Sequence, residues 1–404
     1  MFRKPLTYAL LAACSAPMLL TGCSGTPQQG NHDRWVEEAD NRWIELKSNL
    51  AMEMAEQQFA TGQLTLAMKT VRDQLNMDPE NPQLWLMAGR VALENSELER
   101  SFGYLGKAIE YDAELAEPYY YQGIIHQRWQ QYDQAHARYI DARERDADNP
   151  SYTLAEAEML AQLNRLDEAV AMLQEKATYF DQNAAIRAML GHIHRRNASH
   201  DQATFWFKQA SMLAPDDHKL AEELARSYMT VGSFHEAAST LNQLLYTDYG
   251  QDRDDLRRML ADAYVNNGQF REAKNICQQL TRNDPTSIED WFQLGELNYR
   301  LEDYAGALQS ANRLINLAPD DHRGYTLAGM VWNKRNRLDR ALTMFDRAAE
   351  VAPGSTTPLI LRGMALQRDG RPAAAAESYR QALEVDPEDS RAQRLLSSVS
   401  EDLH

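Results

Sequence analysis

The sequence predicts an all-α protein built as a solenoid of stacked helical hairpins, and three columns of residues predict it. Small residues recur 34 apart at Ala67, Ser101, Ala135, Ala169, Ala203 and Ala237. After one step of 36 they resume at Ala273, Ala307, Ala341 and Ala375. Twelve residues upstream of each stands a second small residue, among them Ala55, Gly89, Gly191, Gly329 and Gly363. Midway between the two columns fall Gly62, Asn164, Gly232, Gly268, Asn336 and Gly370, types that tolerate the left-handed backbone at a helix end.

Each period reads as a hairpin. Apolar positions three and four apart define two helices of about a dozen residues. The small residues let the two helices cross closely. Pro79, Pro215, Pro285, Pro319, Pro353 and Pro387 end the second helix, since proline supplies no interior backbone donor. Trp85, Tyr119, Trp291 and Tyr325 sit four residues before the small residue of the first helix. One hairpin cannot bury its apolar face alone, so neighbours must stack.

This period, with its Trp/Tyr, Gly, Ala and Pro columns, resembles the tetratricopeptide repeat. The resemblance covers ten repeats starting near residues 48, 82, 116, 150, 184, 218, 254, 288, 322 and 356, together residues 48–389. It implies a right-handed α-solenoid. The two extra residues fall near Tyr246–Asp255 and offset the stacking locally. Ahead of the repeats, Asp33 is a predicted N-cap for a flanking helix over 32–47. Val36, Ala39, Trp43, Leu46, Leu50 and Met54 follow at spacings of three and four, one apolar stripe on a single long helix. Residues 390–404 read as a capping helix carrying Leu395, Leu396 and Val399.

The N-terminus differs from the rest. Arg3 and Lys4 precede an apolar run from Leu6 to Leu20, which is too short to span a bilayer and is interrupted by Pro17. It reads as a secretory signal over residues 1–22. Leu20-Thr21-Gly22-Cys23 resembles the lipobox of bacterial lipoproteins. The resemblance implies acylation of Cys23, anchoring by buried acyl chains, and, with Ser24 next, sorting to the outer membrane facing the periplasm. Leu11-Ala12-Ala13-Cys14 also fits the pattern but leaves a shorter apolar run. Residues 23–31 then form a short polar tether. Losing Arg3 and Lys4 takes the formal charge from −17 to −19, which argues against nucleic acid as a partner. Only Cys277 would remain as a free thiol.

No catalytic motif is present: no G-x-S-x-G, no phosphate-binding G-x-x-x-x-G-K-[ST] and no H-E-x-x-H. The sequence therefore predicts neither enzyme activity, nor a cofactor, nor a metal site. Asp216-Asp217, Asp254-Asp255 and Asp320-Asp321 fall at helix starts, where negative charge suits the helix dipole. His192 and His194 diverge on a helix and cannot share a ligand face; His194 reads as packed and His192 as solvated. Cys277 reads as a small core residue.

By resemblance, the first helix of each hairpin lines a concave groove. In the fifth to seventh repeats this places His192, Arg195, Arg196, Lys219, Arg226 and Arg258 there. They either bind an acidic or C-terminal carboxylate segment of a protein partner or pair with neighbouring acids such as Glu222 and Asp262. Tyr120, Phe292 and Tyr299 either anchor a partner or cover the seam between repeats. The expected function is a membrane-anchored interaction scaffold of the bacterial envelope. It resembles lipoproteins that assist pilus or secretion-channel assembly, such as Tad and type IV pilus proteins. An adaptor for exopolysaccharide export or peptidoglycan enzymes, or a solenoid binding polysaccharide or lipid, is the alternative.

Overall fold

The structure, a computed structural model, describes residues 29–402. Cys14, Cys23 and the predicted signal lie outside the described residues, as does most of the tether. Among the described residues there are twenty-one helices and no strand, divided between two compact units that part between Gln131 and Tyr132.

The first unit holds α1 (Gln29–Ala60), α2 (Leu64–Leu75), α3 (Pro82–Glu94), α4 (Leu98–Tyr111) and α5 (Ala116–Arg128). The second begins with α6 (Tyr132–Arg145), α7 (Pro150–Gln162), α8 (Leu166–Tyr179), α9 (Ala184–Arg196), α10 (His200–Leu213), α11 (His218–Thr230), α12 (Phe234–Leu245) and α13 (Asp254–Asn266). It continues through α14 (Phe270–Asn283), α15 (Ile288–Arg300), α16 (Tyr304–Leu317), α17 (His322–Lys334), α18 (Leu338–Val351), α19 (Thr357–Arg368), α20 (Pro372–Val385) and α21 (Ser390–Asp402). In sequence these form ten helix–turn–helix segments followed by α21.

The turns inside the hairpins share one geometry. At each, one residue has positive φ: Gly62, Ser96, Gln130, Asn164, Ala198, Gly232, Gly268, Glu302, Asn336 and Gly370. The next residue's N–H reaches back over the turn, as in Glu97 N to Ala92 O at 2.8 Å and Arg165 N to Leu160 O at 2.8 Å. These bonds satisfy helix-end carbonyls. Four of the ten are neither Gly nor Asn, and each of those pays about 1 kcal/mol for the left-handed backbone. The hydrogen bonding, not the residue type, holds them there.

The Trp/Tyr and Pro columns explain one another. Trp85 Nε1 donates to the Pro79 carbonyl at 2.8 Å and Trp291 Nε1 to that of Pro285 at 3.0 Å. The Tyr119 hydroxyl makes the equivalent bond to Ala113 at 3.2 Å. The ring thus ties the start of one hairpin to the end of the previous one.

The core alternates small and large. A Cβ on Gly89 would meet Leu105 at 2.6 Å, on Gly191 Phe207 at 2.8 Å, on Gly329 Phe345 at 2.5 Å, and on Gly363 Tyr379 at 2.4 Å. Where the first helix carries alanine, the residue sixteen further on is, in the following cases, not aromatic. Ala55 shares its core cluster with Val71, Ala157 with Leu173, Ala225 with Leu241, and Ala261 with Cys277. Close packing makes such volume matching necessary.

Three N-terminal expectations are corrected. Helix α1 runs unbroken from Gln29 to Ala60, one long helix as its stripe predicts, and the boundary placed at 47 between a flanking helix and the first hairpin falls inside it. Asp33 lies inside it and does not cap its start. Gln29, Gly30 and Asn31, assigned to the tether, are helical. No breaker stands between 31 and 60, so the periodicity simply continues. No described helix is long and apolar enough to cross a membrane.

Candidate functional site

Among first helices of the second unit α7 packs on α9, α15 on α17, and α17 on α19, while Arg195–Glu223 links α9 to α11 and Arg258–Asp290 links α13 to α15. Their outward positions therefore form one face within the second unit. Its start is set by caps. Asp217 Oδ1 accepts from Lys219 N at 3.0 Å and Leu220 N at 3.2 Å, and Asp321 Oδ1 from Arg323 N at 2.9 Å. Those acids thus cap helices, while Asp254 and Asp255 sit in the first turn of α13.

Over α9, α11 and α13 the predicted cations are mostly spent on acids. Arg258 Nε and Nη2 each donate to Asp290 at 2.8 Å, and Asp290 is only 1% exposed. The Asp290 carboxylate raises the Arg258 guanidinium above its ordinary pKa. Arg226 bonds Glu222 at 2.6 Å, one turn back on the same helix. The Tyr249 hydroxyl also donates to Glu222 at 2.6 Å, and Arg253 adds bonds at 3.3 Å. Burial pushes the Glu222 carboxyl up, but these donors outweigh it and hold it below the usual range. Tyr249 and Arg253 belong to the insertion between α12 and α13, which thereby folds back onto α11.

Arg195 pairs with Glu223 and donates to His192 Nδ1 at 2.9 Å. His192 is half-buried, its ring edge-on to Phe207 at 5.0 Å, and not solvated as predicted. Burial first, and Arg195 second, lower its pKa. His194 is buried with both ring nitrogens unbonded, and burial lowers its pKa too. Of the two predicted acidic partners, Glu222 is used. Asp262 instead accepts from Gln293 Nε2 at 2.7 Å, and burial raises its carboxyl pKa. Arg196 and Lys219 are exposed and without an ion pair among the described residues.

Over α15, α17 and α19 the face opens into a groove of about 380 Å³. Phe292, Tyr299, Leu327, Met330 and Leu361 line it, with Glu296, Arg300, His322 and Arg323 at its polar edges. Arg323 lies 5.0 Å from the Phe292 ring and is held there by Asp321 at 2.8 Å and Glu289 at 2.8 Å. The guanidinium thus fixes the aromatic ring instead of offering free charge. Tyr299 packs at 6.2 Å from Tyr304, and burial pushes its phenol pKa up.

Phe292 and Tyr299 are brought together here; Tyr120 stands in the first unit, in α5, edge-on to Tyr121 at 5.5 Å. Leu327 and Leu361 also line the groove, and the sequence did not single them out. Cys277 is fully buried, its pKa pushed up to about 12 by burial, and its thiol donates to Gln293 Oε1 at 3.4 Å. It is a core residue.

A tetratricopeptide repeat family model matches residues 120–185, 258–322, 292–356 and 360–403, together just over half of the chain. No curated protein matches. Among solved structures, the chain is similar to the C-terminal part of a TPR repeat-containing protein from Cytophaga hutchinsonii. That match has 18% identity and a TM-score of 0.47, and covers 60% of this chain and 99% of that one. MamA from Desulfovibrio magneticus RS-1 matches at 19% identity, TM-score 0.39, covering 43% and 98%. YrrB, described as a TPR protein with an unusual peptide-binding site, matches at 20% identity, TM-score 0.36, covering 46% and 96%.

Proposed function

Because the chain belongs to the tetratricopeptide repeat family, whose members are protein-interaction scaffolds, we propose that its groove over α15, α17 and α19 receives an extended segment of a protein partner. The observation that carries this is the pairing of open apolar lining with side chains fixed in advance: Phe292 is clamped by Arg323, itself clamped by two acids. Rigid aromatic anchors bind at low entropic cost. The acidic-segment reading of α9–α13 keeps only Arg196 and Lys219, since Arg195, Arg226 and Arg258 are paired.

The scaffold works, in our reading, tethered at the bacterial envelope by an acylated Cys23, facing the periplasm and assisting assembly of a pilus, secretion or other envelope complex. The lipobox-like Leu20-Thr21-Gly22-Cys23 and the charged-then-apolar leader support the tether. Crosslinking and pull-down from envelope membranes tests the groove. A protein retained by the native chain and lost from Phe292→Ala/Met330→Ala supports it, and an unchanged set of retained proteins sinks it. Fractionation of Cys23→Ala tests the tether separately, for which continued membrane retention is the contrary result. A glycan chain stacking on Phe292 and Tyr299 is the second reading, and the aromatic lining is the observation that favours it. Retention of purified envelope polysaccharide by the native chain and not by Tyr299→Ala would select it.

A further inference from the structure

Helix α1 has two apolar faces, and the fold uses one. Ala55, Met52 and Phe59 pack into the core with Ala67, Val71 and Leu84. Ser48 on the same side donates to Asp78 at 2.9 Å and accepts from Gln74 at 2.9 Å. The stripe Val36, Ala39, Trp43, Leu46, Leu50 and Met54 points elsewhere. At 100° per residue Leu46 lies roughly 180° from Ala55 and Leu50 about 140°. Trp43 is 58% exposed, Leu46 63% and Leu50 58%. An exposed stripe of this size on a soluble helix marks an interaction surface.

Its spacing is informative. Val36, Ala39, Trp43, Leu46 and Leu50 step by 3, 4, 3 and 4, the heptad spacing of a two-helix seam. We propose that this stripe pairs antiparallel with the same stripe of a second copy of the chain. The charges fit that arrangement. With Trp43 against Leu46 of the second copy, and Ala39 against Leu50, each Asp40 comes beside Lys47 of the other chain, twice over. A parallel pairing instead brings Arg42 beside Lys47, like against like, and Trp43 against Trp43. Lys47 already lies along the seam, its Nζ 5.0 Å from the Trp43 ring. Small Ala39 opposite large Leu50 also matches volumes. The packed face is on the far side of α1, so the two bodies stay apart. An anionic bilayer is the poorer occupant, because the sequence of α1 carries seven acids against three bases.

Sedimentation of the full-length chain in mild detergent tests this. The native chain is expected to dimerise. Leu46→Glu/Leu50→Glu should leave a monomer with an unchanged helical circular dichroism spectrum, association falling at least a hundredfold. Asp40→Lys and Lys47→Asp should each self-associate about tenfold more weakly. Mixed together they should form a heterodimer, and Asp40→Lys/Lys47→Asp in one chain should restore the homodimer. A native chain that is monomeric at every concentration overturns the proposal. So does a dimer that survives Leu46→Glu/Leu50→Glu, or one whose charge variants fail to complement. A monomer that floats with phosphatidylcholine vesicles through Leu46 and Leu50 assigns the stripe to lipid and overturns it equally.

Discussion

Two stretches of one face are made by the same kind of helix and end in opposite states. Over α9, α11 and α13 five cations stand in sequence at groove positions, yet Arg195, Arg226 and Arg258 are neutralised by Glu223, Glu222 and Asp290. Over α15, α17 and α19 Arg323 is neutralised too, but it lies over the Phe292 ring and apolar surface stays open beside it. A column of like charges in a repeat protein is therefore no evidence of a charged site. Counter-charges come from the next repeat for Arg195 and Arg258 and from the same helix for Arg226, and the stretch that differs is the one whose groove positions are aromatic.

The largest expected effect separates the two stretches by stability. Arg258→Met leaves the Asp290 carboxylate buried without its partner and should destabilise by about 3 kcal/mol. The exposed Arg226→Ala should cost under about 0.5 kcal/mol. Urea midpoints compare them; equal shifts would mean the Arg258 pair is no more than a surface contact. Next, Phe292→Ala or Tyr299→Ala should weaken partner binding tenfold or more, while Arg195→Ala changes it less than about twofold. The reverse ranking would move the site back to the basic stretch. A smaller effect is expected at the α9–α10 turn, where Ala198 holds φ at 54°. Ala198→Gly should raise stability by about 0.5–1 kcal/mol in thermal unfolding, because glycine adopts that backbone freely.

The smallest effect is in pH. Burial lowers the pKa of His192, His194 and His136 in the folded protein. Protonation therefore favours the unfolded chain. Their contribution is complete above the unfolded histidine value of about 6.5 and is lost as pH falls through the lower folded values. Unfolding free energy should decline below about pH 6.5, and His192→Gln/His194→Gln should flatten that slope. A slope unaltered by the pair would place the titration elsewhere.

The hairpin repeat was legible because its signals are local and repeated. Gly62, Asn164 and Gly370 announce turns through residue type alone. Ser96, Gln130, Ala198 and Glu302 adopt the same backbone without any such signal, since hydrogen bonds across the turn impose it. The pairing of the arginines was one of two readings the sequence left open, and it named Glu222 as a partner but not the other two. Asp290 and Glu223 come from the next first helix, 32 and 28 residues along, and only the fold brings them beside Arg258 and Arg195. For the aromatic groove, sequence supplied Phe292 and Tyr299 but could not distinguish a partner's anchor from a seam filler. The exposed side of α1 escaped for the simplest reason: a stripe shows that a helix is amphipathic, not which of its sides the fold will cover.

The matched small and large residues of the hairpins make the repeats modular in one sense and not in another. Gly329 needs Phe345 as much as Phe345 needs Gly329, and Ala225 likewise answers to Leu241. Exchanging a whole hairpin keeps both halves of such a pair, whereas exchanging one helix splits it and produces either a clash or a void. Divergence at such sites is thus constrained to move in coupled steps, and recombination at the junctions between hairpins is the route that leaves pairs such as Gly329–Phe345 intact.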